Sequence, residues 1–197
     1  MIPRLIAITP ETLHGEKTEV AAILSLLKDA RLGILIRAPV IDVATLHRLL
    51  DSHQHSGARL IIHTKTRGWK QSIARHPHLG CHLSADQPIK ELRAQIRGPI
   101  GRSCHTLQEV QRAFSEGADY TFLSPIFPPH SKPEDTRSPL GLTVLTEANQ
   151  WGPTLGLGGF HPQRFHDARR ANCWGAAVVG DVFSTPEAIA QRVNAYF

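Results

Sequence analysis

A chain of 197 residues, 41% hydrophobic and 20% charged, is long enough for one sizeable core and too short for two large ones. That composition excludes an intrinsically disordered chain and leads us to treat residues 1–197 as one domain. The net charge of +5 suits an anionic partner, but the basic residues are scattered in pairs such as Arg169-Arg170, without the stripe or run that nucleic acid requires, so phosphorylated small molecules are the expected ligands.

Short apolar runs rich in branched residues alternate with stretches of helical periodicity from one terminus to the other. RLIAIT (Arg4 to Thr9) precedes a helix with Val20, Ile23, Leu24 and Leu27 on one face. GILIR (Gly33 to Arg37) precedes another built on Val43, Leu46, Leu49 and Leu50. RLIIH (Arg59 to His63) leads to a weaker amphipathic stretch around Trp69 and Ile73, and LGCHL (Leu79 to Leu83) to PIKELRAQI. PIGRSC (Pro99 to Cys104) has poor strand propensity, yet a clear helix follows it and ends near Gly117.

DYTFLS (Asp119 to Ser124) is followed by SPIFPPHSKPEDTRSPLG, a long polar loop broken by prolines, before Leu142, Val144 and Leu145 resume the helical pattern. Loops of more than about 12 residues without structure of their own are usually functional or disordered. TLGLGG (Thr154 to Gly159) runs into a short helix that Pro162 can start, and WGAAVVG (Trp174 to Gly180) into a last helix capped by Thr185 with Pro186 in its first turn.

Eight strand-then-helix units imply a parallel sheet, and eight is the number that closes a barrel. The expected fold is therefore α/β, a single compact (βα)8 TIM barrel, with an open doubly wound sheet as the alternative. In a barrel the functional residues lie at the C-terminal strand ends and in the loops beyond them. Those positions are Thr9, Arg37, His63, His82, Ser103, the Ser124 to Gly141 loop, Gly158-Gly159 and Gly180-Asp181.

GLGGF and VVGD at the ends of the seventh and eighth runs let backbone amides approach an anion closely, although tight turns alone also account for glycine there. Arg37, Ser103, Ser131 and Lys132 would add a guanidinium, two hydroxyls and an ammonium at the same mouth. His63, His82, His105 and His130 invite a metal reading, but no carboxylate accompanies them at ligand spacing, and capping or partial burial is the plainer account. His130, inside the polar loop, has the best claim to acid–base chemistry.

Cys81, Cys104 and Cys173 are odd in number and form no Cys-x-x-Cys pair, which fits a reducing cytoplasm and neither a disulfide framework nor a thiolate zinc site. MIPRLIAITP shows no cleavage site, and no apolar run approaches the roughly 20 residues of a membrane span, so neither secretion nor insertion is expected. Trp69, Trp151 and Trp174 leave a homo-oligomer open.

Four pieces in order resemble the thiamine phosphate synthase/TenI family: GCHL (Gly80 to Leu83), GRSCHTLQEV (Gly101 to Val110), GADYTFLSPIFPPHSK (Gly117 to Lys132), and LGLGGF with WGAAVV. The family's forms are G-V-H-L, G-x-S-x-H, G-A-D-Y-x-x-x-G-P-I-F-P-T-x-T-K and A-I-G-G-I. The resemblance implies a (βα)8 barrel that joins hydroxymethylpyrimidine diphosphate, held with Mg²⁺, to thiazole phosphate. It implies catalytic roles for Lys132 and Ser103, substrate contacts at Arg37, His82, Ser131, Gly158, Gly159 and Gly180, and a metal carboxylate at Asp86, while His130 is a catalytic candidate by its position in the loop alone.

The chain departs from the pattern at the residues that serve the metal. The Asn-Asp after the third strand is His63-Thr64 here, and the G-Q-x-D after the fourth has become SAD, which leaves Asp86 as the candidate ligand with a one-residue shift. Leu35 and Pro39 replace a glutamine and a lysine around Arg37. Two alternatives follow: a TenI-like thiazole tautomerase, whose expected catalytic histidine falls at Pro125, and a non-catalytic thiazole-phosphate-binding protein.

Overall fold

The computed structural model describes residues 1–52, 59–128, 137–179, 182–183 and 186–197. Eight parallel strands close into a barrel in chain order: β1 (Leu5–Ile8), β2 (Leu32–Ile36), β3 (Arg59–His63), β4 (Gly80–Leu83), β5 (Ile100–Cys104), β6 (Tyr120–Leu123), β7 (Thr154–Gly156) and β8 (Gly175–Val179). A helix follows each strand: α1 (Lys17–Leu26), α2 (Val43–Asp51), α3 (Trp69–Arg75), α4 (Ile89–Arg93), α5 (Leu107–Ser115), α6 (Gly141–Ala148), α7 (Pro162–Arg170) and α8 (Pro186–Asn194). The register Leu5↔Ala176 to Ile8↔Val179 closes the ring, so the expected (βα)8 barrel is the fold and the open sheet is not.

Why the strands read as unbroken apolar runs follows from burial on both faces. Ile6, Ile8, Leu35, Ile61, Tyr120, Phe122, Leu155 and Ala177 fill the barrel interior as one cluster. Their strand neighbours Leu5, Ala7, Ile34 and Ile36 point the other way and pack under the helices. Asp42 caps α2 by accepting from the Thr45 amide at 2.8 Å, and Thr106 caps α5 by accepting from Glu109 at 3.1 Å. Gly117, at φ 99°, takes the left-handed turn that stops α5.

The strand with the weakest propensity, β5, is held from both sides. Arg102 reaches outward to Glu116 beyond α5 at 2.6 Å, with side chains 6% and 13% exposed, and a Cβ on Gly101 would lie 2.1 Å from the Tyr120 ring. The seventh strand is shorter than expected. It ends at Gly156, not Gly159, because Gly158 (φ 95°) and Gly159 (φ 66°) leave the extended region. The β1 pairing likewise ends at Ile8, although the Thr9 amide still donates to Leu35 at 3.0 Å.

Both ends of the long loop after β6 are anchored: the Leu140 and Gly141 amides donate to the carbonyls of Pro125 and Ile126 at 2.9 and 3.0 Å. Among the described residues, no helix is long and apolar enough to cross a membrane.

Candidate active site

A cavity of about 610 Å³ opens at the C-terminal end of the barrel, where the strand ends gather Arg37, His82, Asp86, Ser103, Gly158 and Gly159 around one space. These are six of the ten residues that the sequence nominated. The other four, His130, Ser131, Lys132 and Gly180, lie outside the described residues. A cavity of about 620 Å³ at the opposite end is lined by Pro3, Leu50, Leu79 and neighbouring side chains, and it holds none of the nominated residues.

On one wall the turn after β7 offers backbone amides. Gly158 and Gly159 take consecutive left-handed conformations, and among the described residues no acceptor is paired with either amide. Such a pair makes an anion-binding concavity, here just ahead of the α7 N-terminus. The turn has no room for a side chain, since a Cβ on Gly159 would sit 2.5 Å from the Pro128 carbonyl. The Phe127 amide donates to the Gly158 carbonyl at 3.2 Å, tying this wall to the loop after β6.

The facing wall carries cations and a buried polar chain. Arg37 stands at the end of β2, its amide donating to Thr9 Oγ1 at 2.9 Å, and its guanidinium pairs with Glu11 at 2.7 Å. Lys65 lines the mouth just beyond β3. Nearer the β7 turn, Arg137, in the loop after β6, lies 2.6 Å from His105 Nδ1, which is also 3.0 Å from the Ser124 carbonyl.

The chain runs inward from Ser103 to His82 to Tyr120. Ser103 Oγ lies 3.0 Å from His82 Nε2, and the Tyr120 hydroxyl 3.1 Å from Nδ1. His82 and Tyr120 are fully buried, and the imidazole stacks 4.2 Å from the Phe122 ring. Burial, then the fields of His63 and Arg37, hold His82 well below the usual imidazole range, so it is neutral and one nitrogen must accept. Burial pushes the Tyr120 phenol well above its ordinary value, so it keeps its proton.

That proton has one described acceptor, His82 Nδ1, so Tyr120 donates there and Nε2–H donates to Ser103. The reverse tautomer would leave a buried phenol hydrogen with no partner among the described residues. Ser103 is therefore an acceptor toward the protein, and its own hydrogen points to a donor role toward whatever enters the cavity. His63 is neutral as well, pushed down to about 3 by burial, with Arg37 and Lys65 adding to it, and its Nδ1 accepts from the Lys65 amide at 2.9 Å.

Sequence reasoning missed Tyr120, Glu11 and Lys65 at this site. Tyr120 lies at the start of its strand, away from the C-terminal end where function is expected, and Glu11 acts through Arg37. Lys65 sits two residues beyond the end of β3, and that position next to a strand end is the sequence signal for it.

The family profile described as thiamine monophosphate synthase matches residues 5–182. A thiamine-phosphate synthase of Halorhodospira halophila is 33% identical over 130 residues, which cover 63% of this chain and 61% of that one. One from Anaeromyxobacter dehalogenans is 36% identical over 126 residues, covering 60% and 56%. These matches span little more than half the length of the curated relatives. A solved thiamine phosphate pyrophosphorylase from Pyrococcus furiosus superposes with a TM-score of 0.73 at 20% identity, covering 98% of this chain and 93% of the other. KGPDC from Streptococcus mutans gives 0.66 at 14% identity over 100% and 96%, so barrel shape alone separates little. It is the match over residues 5–182, from the first strand to beyond the eighth, that decides the matter: the chain belongs to the thiamine monophosphate synthase family.

Proposed function

We propose that the protein is a transferase of thiamine phosphate synthase type, displacing pyrophosphate from hydroxymethylpyrimidine diphosphate with the ring nitrogen of thiazole phosphate. The observation that carries this reading is a cavity with anion donors on two facing walls and a neutral floor of Phe122 and His82 between them. Two phosphorylated substrates need two such walls. Thiazole phosphate takes the Gly158–Gly159 turn, with Gly180 a further proposed contact, and the diphosphate takes Arg37 and the Ser103 hydroxyl.

In the reaction the bond between the pyrimidine methylene and the diphosphate oxygen breaks, and its electron pair leaves with pyrophosphate. The thiazole nitrogen lone pair then forms the new C–N bond. Donors aimed at the departing oxygens lower the barrier because negative charge grows there. Ser103 fits that role because its hydrogen is kept free by the Tyr120–His82 chain. Lys132 and Ser131 are the proposed contributions of the loop after β6, with His130 beside them as its acid–base candidate.

The residues at the corner between β3 and β4 do not fit the Mg²⁺ that the family pattern implies. Mg²⁺ takes oxygen ligands in octahedral order, usually one or two carboxylates with substrate phosphate and water. Here Thr64 Oγ1 donates to Gln87 Oε1 at 2.5 Å, and that same oxygen accepts from the Ser84 amide at 2.9 Å. Among the described residues, Asp86 is the one carboxylate lining the cavity, and no group of three metal-binding side chains occurs.

The test is incubation with both substrates and chromatography of the products, alongside Lys132→Ala. Thiamine phosphate formation that is lost in the variant, with the fold intact by circular dichroism, is the expected result. Conversion of a thiazole tautomer alone, with no coupled product, would replace this reading by an isomerase.

A further inference from the structure

We propose that this chain binds the diphosphate without a divalent cation, with the Thr64–Gln87 hydrogen bond closing the corner where a metal would sit and Lys65 supplying the positive charge. The inference rests on the transferase reading for the identity of its ligand, but its chemistry stands on the donors present. Counted straight on from GCHL, the aspartate of the family's G-Q-x-D falls on Gln87, and the aspartate of its Asn-Asp falls on Thr64. The two positions that would share a metal instead touch each other.

A bridging cation between two loops does two jobs: it ties them together and it cancels charge on the ligand. The tie is made here by neutral groups. Gln87 Oε1 takes the Thr64 hydroxyl and the Ser84 amide, which occupies both of its lone pairs and fastens the loop after β3 to the loop after β4. The Thr64 amide adds a second link, donating to the His82 carbonyl at 3.0 Å.

Charge is cancelled by side chains. Among the described lining residues, Lys65 and Arg37 bring positive charge to this corner, and Asp86 is the one carboxylate. Arg37 is partly offset by Glu11, whereas the Lys65 ammonium has no carboxylate partner among the described residues. The fields of Arg37 and Lys65 both reach His63, which shows that they act on the same corner. A pair of aspartates at positions 64 and 87 would repel a diphosphate unless a metal lay between them; threonine and glutamine do not.

The test is calorimetric titration of the whole chain with inorganic pyrophosphate in EDTA, then with Mg²⁺ in excess. We expect binding in EDTA that Mg²⁺ does not tighten. Lys65→Ala should weaken it roughly 10- to 100-fold, the value of one hydrogen bond to a charged group, while Lys65→Arg should keep most of it. The double variant Thr64→Asp with Gln87→Asp should bind pyrophosphate in a Mg²⁺-dependent manner.

Binding that requires Mg²⁺, or Lys65→Ala equal to the parent, overturns the proposal. Should the double variant fail to fold, the Lys65 pair and the EDTA titration still decide. Metal-free pyrophosphate binding without coupled product would sink the transferase reading and leave this one standing. Coupled product that forms with Mg²⁺ and not in EDTA would do the opposite.

Discussion

Tyr120→Phe removes one oxygen from the barrel interior and leaves the ring over Gly101 where it was. The hydroxyl is fully buried, and His82 Nδ1, 3.1 Å away, is its described partner. Without it either tautomer of His82 leaves a buried ring nitrogen unpaired, at a cost of about 1–3 kcal/mol. For a domain of this size that corresponds to a fall in melting temperature of roughly 2–12 °C. The second consequence is electronic: with the reason for the Nε2–H form removed, His82 should become a mixture of tautomers, and Ser103 should donate inward part of the time. Thermal unfolding reads the first effect and ¹⁵N shifts of the His82 ring the second. An unchanged melting temperature together with a pure Nε2–H ring would refute the assignment of Tyr120 as the residue that orients His82.

Two more tests address the anion turn and the neutral histidines. Gly159→Ala should weaken inorganic phosphate binding at least about tenfold, because its Cβ would meet the Pro128 carbonyl at 2.5 Å and the backbone cannot relax at φ 66°. Gly117→Ala, at φ 99° with open space around it, should lower stability and leave phosphate binding alone, and titration calorimetry on the two variants separates the effects. Stability should also fall as pH drops below about 6.5, where the unfolded chain takes up protons that folded His63, held down to about 3, refuses. At 1.36 kcal/mol per pH unit that is about 2 kcal/mol at pH 5, with His82 acting in the same direction. Urea midpoints at pH 7 and pH 5, compared with those of His63→Asn, give the measurement, and equal slopes would dismiss His63 as the source.

How far the sequence could be read depended on whether a residue served its own element or a distant one. RLIIH became β3 with the expected bounds because every side chain in it answers to local alternation and burial. PIGRSC looked weak because Gly101 makes room for a ring on the next strand and Arg102 answers to Glu116 beyond the following helix, and neither reason is visible locally. TLGLGG was read too long because the glycines that ended the strand also resemble a strand's small residues.

At the site, strand-end position was enough to bring Arg37, His82, Ser103, Asp86, Gly158 and Gly159 into one cavity. It could not reveal that Arg37 is shared with Glu11, nor that Ser103 is fixed as a donor by a tyrosine one strand further round. Those facts depend on which atoms meet in space. In the sequence Thr64 reads as one lost carboxylate and Asp86 as a shifted one, whereas in the fold Thr64 and Gln87 form a single contact.

The glycine at 101 therefore has consequences for how such a chain can vary. Its missing side chain is the space into which the Tyr120 ring fits; the ring carries the hydroxyl that sets His82, and His82 sets Ser103. Four residues from three strands thus form one heritable unit: an alanine at 101 evicts the tyrosine, and a smaller residue at 120 strands the histidine. Among relatives, positions 82, 101 and 120 should change together or not at all, and a mutant library that varies them jointly will contain working solutions that stepwise replacement never reaches.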